Sequence, residues 1–137
     1  MNNLKRVEIL SFGVGILLLL ICVLFSNRSL DINVHDTYFV IAPKHVGVLF
    51  LIVYVFYGVV YTIIHRYQKR YLGYLHLALT TPFLFSLVLS TIYIGAGLLN
   101  LYHIGAILSL LFLLGNIIFL TNILFSIAMA IKQNSQS

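Results

Sequence analysis

Residues 71–131 read YLGYLHLALTTPFLFSLVLSTIYIGAGLLNLYHIGAILSLLFLLGNIIFLTNILFSIAMAI, and this 61-residue stretch contains no Asp, Glu, Lys or Arg. A helix needs about 20 apolar residues to cross a bilayer core, so the stretch is long enough for two membrane helices. The polar sequence NLYH at positions 100–103 predicts the break between them. We therefore predict spans at about 73–98 and 104–131.

Two more uncharged stretches lie nearer the N-terminus. Residues 9–27 carry no charge, and residues 45–65 carry none apart from two histidines, which predicts spans at about 9–26 and 45–65. The 137-residue chain is 61% hydrophobic and 8% charged, a composition that favours an integral membrane protein over a soluble domain. The sequence thus predicts one all-α transmembrane domain over residues 1–137, a four-helix bundle or arc.

The net charge of +5 comes from cations at the helix ends. Six lie on one side of the predicted membrane and two on the other: Lys5, Arg6, Arg66, Lys69, Arg70 and Lys132 against Arg28 and Lys44. This is the positive-inside pattern, and it predicts a multi-pass protein of a bacterial inner membrane with both termini cytoplasmic. The cations then set the membrane topology or bind anionic lipid, so lipid is an expected partner and nucleic acid is not.

Polar side chains within the predicted helices leave two interpretations open. Tyr54, Tyr57 and Tyr61 are spaced three and four apart and share one helix face, which is typical of a packing face but also suits a cofactor cleft. Asn116 and Asn122 lie on an apolar helix, where buried amides usually join helices or, alternatively, line a ligand path.

The sequence TTP at positions 80–82 predicts a bend in the third helix. Proline removes a backbone donor, and a neighbouring threonine hydroxyl can then satisfy the freed carbonyl.

One polar segment, SLDINVHDTYFVIA at positions 29–42, interrupts the apolar pattern. We expect Asp36 to cap the second helix, with Thr37 to Phe39 in its first turn. Pro43 suggests instead that the helix begins or kinks there. His35 and Asp36 are also nitrogen and carboxylate donors of the kind that bind divalent metals.

The five histidines raise the possibility of a haem site. Bis-histidine ligation needs two imidazoles at one membrane depth, and topology allows His45 with His103 on the outer side or His65 with His76 on the inner side. Histidines at the membrane faces can equally meet water or headgroups, so we expect no haem.

The residues SLDINVHDTYFVIA resemble the segment that joins the ninth and tenth helices of haem–copper oxidase subunit I, the catalytic subunit of cytochrome c oxidase. The resemblance extends by topology to the last four helices of that twelve-helix subunit, because two more helices follow an outer loop in both. It implies that His35 and Asp36 match a histidine and an aspartate that help to hold a Mg or Mn ion. It also places Pro43 and His45 at two haem-ligand positions.

Proline has no ligand atom, and the helices that carry the copper ligands and the remaining haem ligand have no counterpart in this chain. We therefore expect no oxidase activity and no enzyme. The leading hypothesis is a non-catalytic accessory subunit of a larger membrane complex, such as a respiratory complex, without a cofactor. The alternative is a small membrane protein that binds haem through His45 and His103 or a divalent metal through His35 and Asp36.

Overall fold

Four long helices make up most of the computed structural model, which describes residues 6–25, 30–34, 37–93 and 101–135. They are α1 (Val7–Leu24), α2 (Pro43–Ile64), α3 (Arg70–Tyr93) and α4 (Leu101–Asn134). Each is long and apolar enough to cross a membrane. The predicted number of helices is confirmed, as expected for a multi-pass membrane protein, but α4 already begins at Leu101, within the predicted NLYH break.

A β-hairpin between α1 and α2 was not predicted. Strands β1 (Leu30–Val34) and β2 (Thr37–Ile41) pair antiparallel, with Leu30 opposite Ile41 and Val34 opposite Thr37. Residues 35 and 36 lie outside the described part of the chain.

The prediction that Asp36 caps α2 is wrong. Residues 37–41 form a strand, and α2 begins only at Pro43, with extended Ala42 before it and no side-chain cap. Pro43 occupies the first turn, where its missing N–H costs nothing because first-turn donors have no helical acceptor. The alternative, that the helix begins at Pro43, is the one confirmed.

Small residues bring α1 and α2 into close antiparallel contact. A Cβ added at Gly15 would lie 2.8 Å from Tyr54 Cβ, and one added at Gly47 would lie 2.7 Å from Cys22 Cβ. The Ser11 hydroxyl donates to the Tyr54 carbonyl at 2.8 Å. Close backbone approach of this kind drives helix association in lipid, where the hydrophobic effect between helices is absent.

Helices α3 and α4 form a second pair, and a glycine again allows their close contact. A Cβ at Gly115 would lie 2.7 Å from Thr80 Cγ2. Helix α3 runs through Pro82, whose missing N–H leaves the carbonyl of Ala78 without its helical donor. The Thr80 hydroxyl donates to the His76 carbonyl at 2.9 Å instead, so it does not serve the freed carbonyl as predicted.

The two pairs form a bundle. Helix α2 contacts both α3 and α4, and α1 contacts α3. Aromatic and aliphatic side chains from all four helices are buried between them; the apolar core is Val7, Leu18, Cys22, Phe50, Tyr54, Tyr57, Tyr61, Leu77, Leu84, Val88 and Phe119.

Gly15→Ala should destabilise the bundle, whereas Gly13→Ala should not. Both changes raise helix propensity by about 1 kcal/mol, but only Gly15 faces Tyr54, and no atom lies within 4 Å of a Cβ at Gly13. Overpacking at Gly15 should cost about 1–3 kcal/mol. Thermal unfolding in mild detergent, followed by circular dichroism, measures the difference. Equal stability of the two variants would show that α1 and α2 do not pack this closely.

Candidate functional site: a tyrosine stripe and its polar partners

Tyr54, Tyr57 and Tyr61 lie on the face of α2 that is buried against α3 and α4. Each hydroxyl reaches across to the other helical pair. The Tyr54 hydroxyl hydrogen-bonds to Thr81 Oγ1 at 2.8 Å, and the Tyr57 hydroxyl donates to Asn116 Oδ1 at 2.7 Å. The Tyr61 hydroxyl hydrogen-bonds to His76 Nδ1 at 2.8 Å. We call these six side chains the tyrosine stripe.

His76 is the most enclosed polar side chain of the stripe. It has no solvent-exposed surface, its ring stacks on Phe119 with centroids 4.9 Å apart, and Tyr57 meets it edge-on at 4.4 Å. Its Nδ1 bonds Tyr61, and its Nε2 has no hydrogen-bond partner among the described residues. The Nδ1 atom therefore links α3 to α2 through Tyr61, and the Nε2 atom faces aromatic side chains.

Asn122 joins α4 to the start of α3. Its Oδ1 accepts from the Lys69 backbone N–H at 3.0 Å, and its Nδ2 donates to the Lys69 carbonyl at 3.3 Å. Backbone donors that precede a helix lack helical acceptors, so this fully buried amide satisfies one of them. The Lys69 ammonium lies 4.0 Å from the Phe125 ring centroid, which adds a cation–π contact at the same place.

The predicted histidine sites have different outcomes. His65 is exposed and its Nδ1 lies 3.0 Å from the Thr62 carbonyl, whereas His76 is buried, so the structure does not bring them together as a haem pair. His45 is exposed in the first turn of α2. The metal pair His35 and Asp36, and the side chain of His103, lie outside the described residues.

The described residues contain no group of three or more His, Cys, Asp or Glu side chains that could hold a metal. At the start of α2, Pro43 has no side-chain donor atom, and His45 is exposed. The polar groups of the stripe bond to one another, an arrangement suited to holding helices in register rather than to binding a charged ligand.

Sequence reasoning did not identify the partners of the tyrosines. His76 and Thr81 are five positions apart on α3, and no spacing rule links them to Tyr61 and Tyr54 on a different helix. A usable signal was present, since polar side chains in an apolar membrane helix usually face the protein interior. Comparison with protein-family models, with curated proteins and with solved structures gives no match to this chain.

Tyr61→Phe should destabilise the bundle because it leaves both ring nitrogens of buried His76 without a partner. We expect a loss of about 1–2 kcal/mol in the free energy of unfolding. Tyr71→Phe is the matched control, since Tyr71 is 62% exposed, and it should change stability by less than about 0.5 kcal/mol. Chemical unfolding in mixed detergent micelles measures both variants. An effect no larger than that of the control would mean that the Tyr61–His76 bond contributes nothing.

Proposed function

We propose that this chain is a non-catalytic accessory subunit that packs through α4 against a larger complex in a bacterial inner membrane. The observation that carries the proposal is the length of the apolar part of α4. Residues Gly105–Gln133 form a 29-residue apolar stretch, against 18 residues in α1 and 22 in α2, the two other helices that the structure describes from end to end. At 1.5 Å per residue it is about 43 Å long, whereas a bilayer core is about 30 Å thick.

The excess length lies at one end of the bundle. Asn122 is level with Lys69, the residue before α3, and α4 continues from there to Asn134, about 18 Å further. Ser126 is still buried, so we call residues 127–134 the overhang. Its exposed large apolar side chains are Ile127, Met129 and Ile131.

An uncovered overhang is unfavourable in water. Apolar surface in water costs about 25 cal/mol per Å2, and tilting absorbs only part of such a mismatch. Among the described residues, helix α4 is also the least covered, with 17% of its most apolar 18-residue segment buried, compared with 28 to 33% in the others. A partner protein that packs along α4 would cover both the overhang and the exposed face above it.

The charge pattern and the sequence resemblance support the same proposal. Cations cluster at the overhang end of the bundle, as expected if that end is cytoplasmic. The resemblance of SLDINVHDTYFVIA to oxidase subunit I favours a respiratory complex as the partner. The stripe side chains hydrogen-bond to one another, and the resemblance puts Pro43 where oxidase subunit I has a haem ligand, which favours a structural over a catalytic role.

Ile127→Ser with Ile131→Ser should release the partner. Affinity purification of the tagged chain in mild detergent, followed by mass spectrometry, should recover a membrane complex with the wild type and much less with this double variant. The matched control is Ile16→Ser with Leu20→Ser, which has the same spacing and similar exposure on α1, outside the proposed contact. If wild type and overhang variant recover the same proteins in the same amounts, α4 does not dock through its overhang.

The purified chain should lack a Soret absorption band and a stoichiometric transition metal. This measurement separates the accessory role from the alternative of a haem or metal carrier. A Soret band that disappears in His45→Ala would contradict the proposal and establish haem binding at the start of α2.

A further inference from the structure

An open groove of about 550 Å3 runs between α1 and α3. Its size lies within the range of about 300–1,000 Å3 found for small-ligand sites. Its walls are almost entirely apolar and include Leu10, Val14, Tyr74, Ala78, Thr81 and Phe85.

The length of the groove matches one leaflet of a bilayer. From Tyr74 to Phe85 it follows α3 for about 16 Å, and half of a hydrocarbon core is about 15 Å. A transmembrane helix of another protein would need a groove that crosses both leaflets. The dimension therefore fits a single acyl chain better than a protein segment.

Two arginines stand at one end of the groove. The Leu10 N–H donates to the Arg6 carbonyl at 3.2 Å, which places Arg6 one turn before the first groove residue of α1. Arg70 lies four residues, again one turn, before Tyr74. Residues four apart share a helix face, so exposed Arg70 stands above the α3 wall of the groove. Exposed Arg6 is the extended residue that directly precedes α1, at the end of the α1 wall.

The contact between α1 and α3 holds both arginines at the same end. A Cβ added at Gly73 would lie 2.9 Å from Val7 Cγ1. Val7 directly follows Arg6, and Gly73 lies within one helical turn of Arg70. Glu8 is the only acidic residue of α1. It is two positions from Leu10 and does not share the helix face of this groove residue. The mouth of the groove is therefore positively charged.

We infer that this groove binds one anionic phospholipid, with an acyl chain between α1 and α3 and the phosphate between Arg6 and Arg70. A second groove of about 560 Å3, between α2 and α4, serves as an internal comparison. Its lining, from Ile52 to Tyr57 and from Asn116 to Ile123, lies in the middle of both helices and includes no cation. The inference requires membrane insertion but is independent of the proposed accessory role.

Binding is measured by native mass spectrometry of the full chain in detergent, titrated with dioleoylphosphatidylglycerol or dioleoylphosphatidylcholine. The wild type should prefer phosphatidylglycerol. Arg6→Gln with Arg70→Gln should lower the affinity for it about thirtyfold, or about 2 kcal/mol for two cations near a membrane surface. Arg66→Gln with Lys132→Gln removes the same charge from the same end of the bundle and should keep the wild-type affinity.

A second pair of variants tests the acyl-chain part without changing charge. Ala78→Phe should fill the groove and reduce binding of phosphatidylglycerol at least tenfold. Ala106→Phe, at an exposed alanine of α4 outside the groove, should leave it unchanged. Circular dichroism of each variant should match the wild type.

Three results would overturn the inference. The first is equal binding of the two lipids by the wild type. The second is an equal loss of affinity in the two charge variants, which would indicate general attraction to the charged rim. The third is full binding of phosphatidylglycerol by Ala78→Phe, which would show that no acyl chain enters the groove.

Discussion

The hydroxyl groups of Tyr54, Tyr57 and Tyr61 lie inside a membrane bundle where water is not available to bond them. Each unsatisfied polar group in such a place costs several kcal/mol, so their partners must come from the protein itself. The hydrogen-bond partners lie on α3 and α4, which follow α2 in the sequence. The stripe is satisfied only when the two helical pairs are docked in one register, and this links local chemistry to the arrangement of the whole bundle.

The rest of the packing is consistent with that constraint. Hydrophobic attraction between helices is weak in lipid, so close contact has to come from shape. Glycines at 15, 47 and 115 allow side chains of the facing helix to approach within 3 Å of the position that a Cβ would occupy. Close packing therefore stabilises each helical pair, and hydrogen bonds between polar side chains stabilise the contact between the two pairs. Within the described residues, the other helices leave most of the long apolar stretch of α4 exposed, so we expect a partner protein to pack there.

Some of this arrangement was predictable from sequence, and the reasons for success and failure are physical. Charge gaps gave four helices because a bilayer imposes a minimum apolar length. The spacing of the tyrosines placed them on one face because helical periodicity is local. Their partners depend on how α2 meets α3 and α4, which no local rule encodes.

The β-hairpin was missed for a different reason. The residues LDINV alternate apolar and polar, and TYFVI is rich in strand-forming residues, so the local pattern was present. The two residues between them, His35 and Asp36, include no glycine or asparagine, so the usual hairpin signal was absent. An acidic residue before an apolar run instead favours a helix cap. Alternation over five residues therefore indicates a strand even beside a membrane span.

The central claim is that the tyrosine stripe holds the two helical pairs together. A double-mutant cycle with Tyr57→Phe and Asn116→Leu measures this most directly, because the two residues lie on different pairs and their side chains bond at 2.7 Å. Unfolding of the full chain in mixed micelles should give a coupling energy of about 0.6–1.7 kcal/mol. Strictly additive effects, with a coupling energy below about 0.3 kcal/mol, would contradict the account.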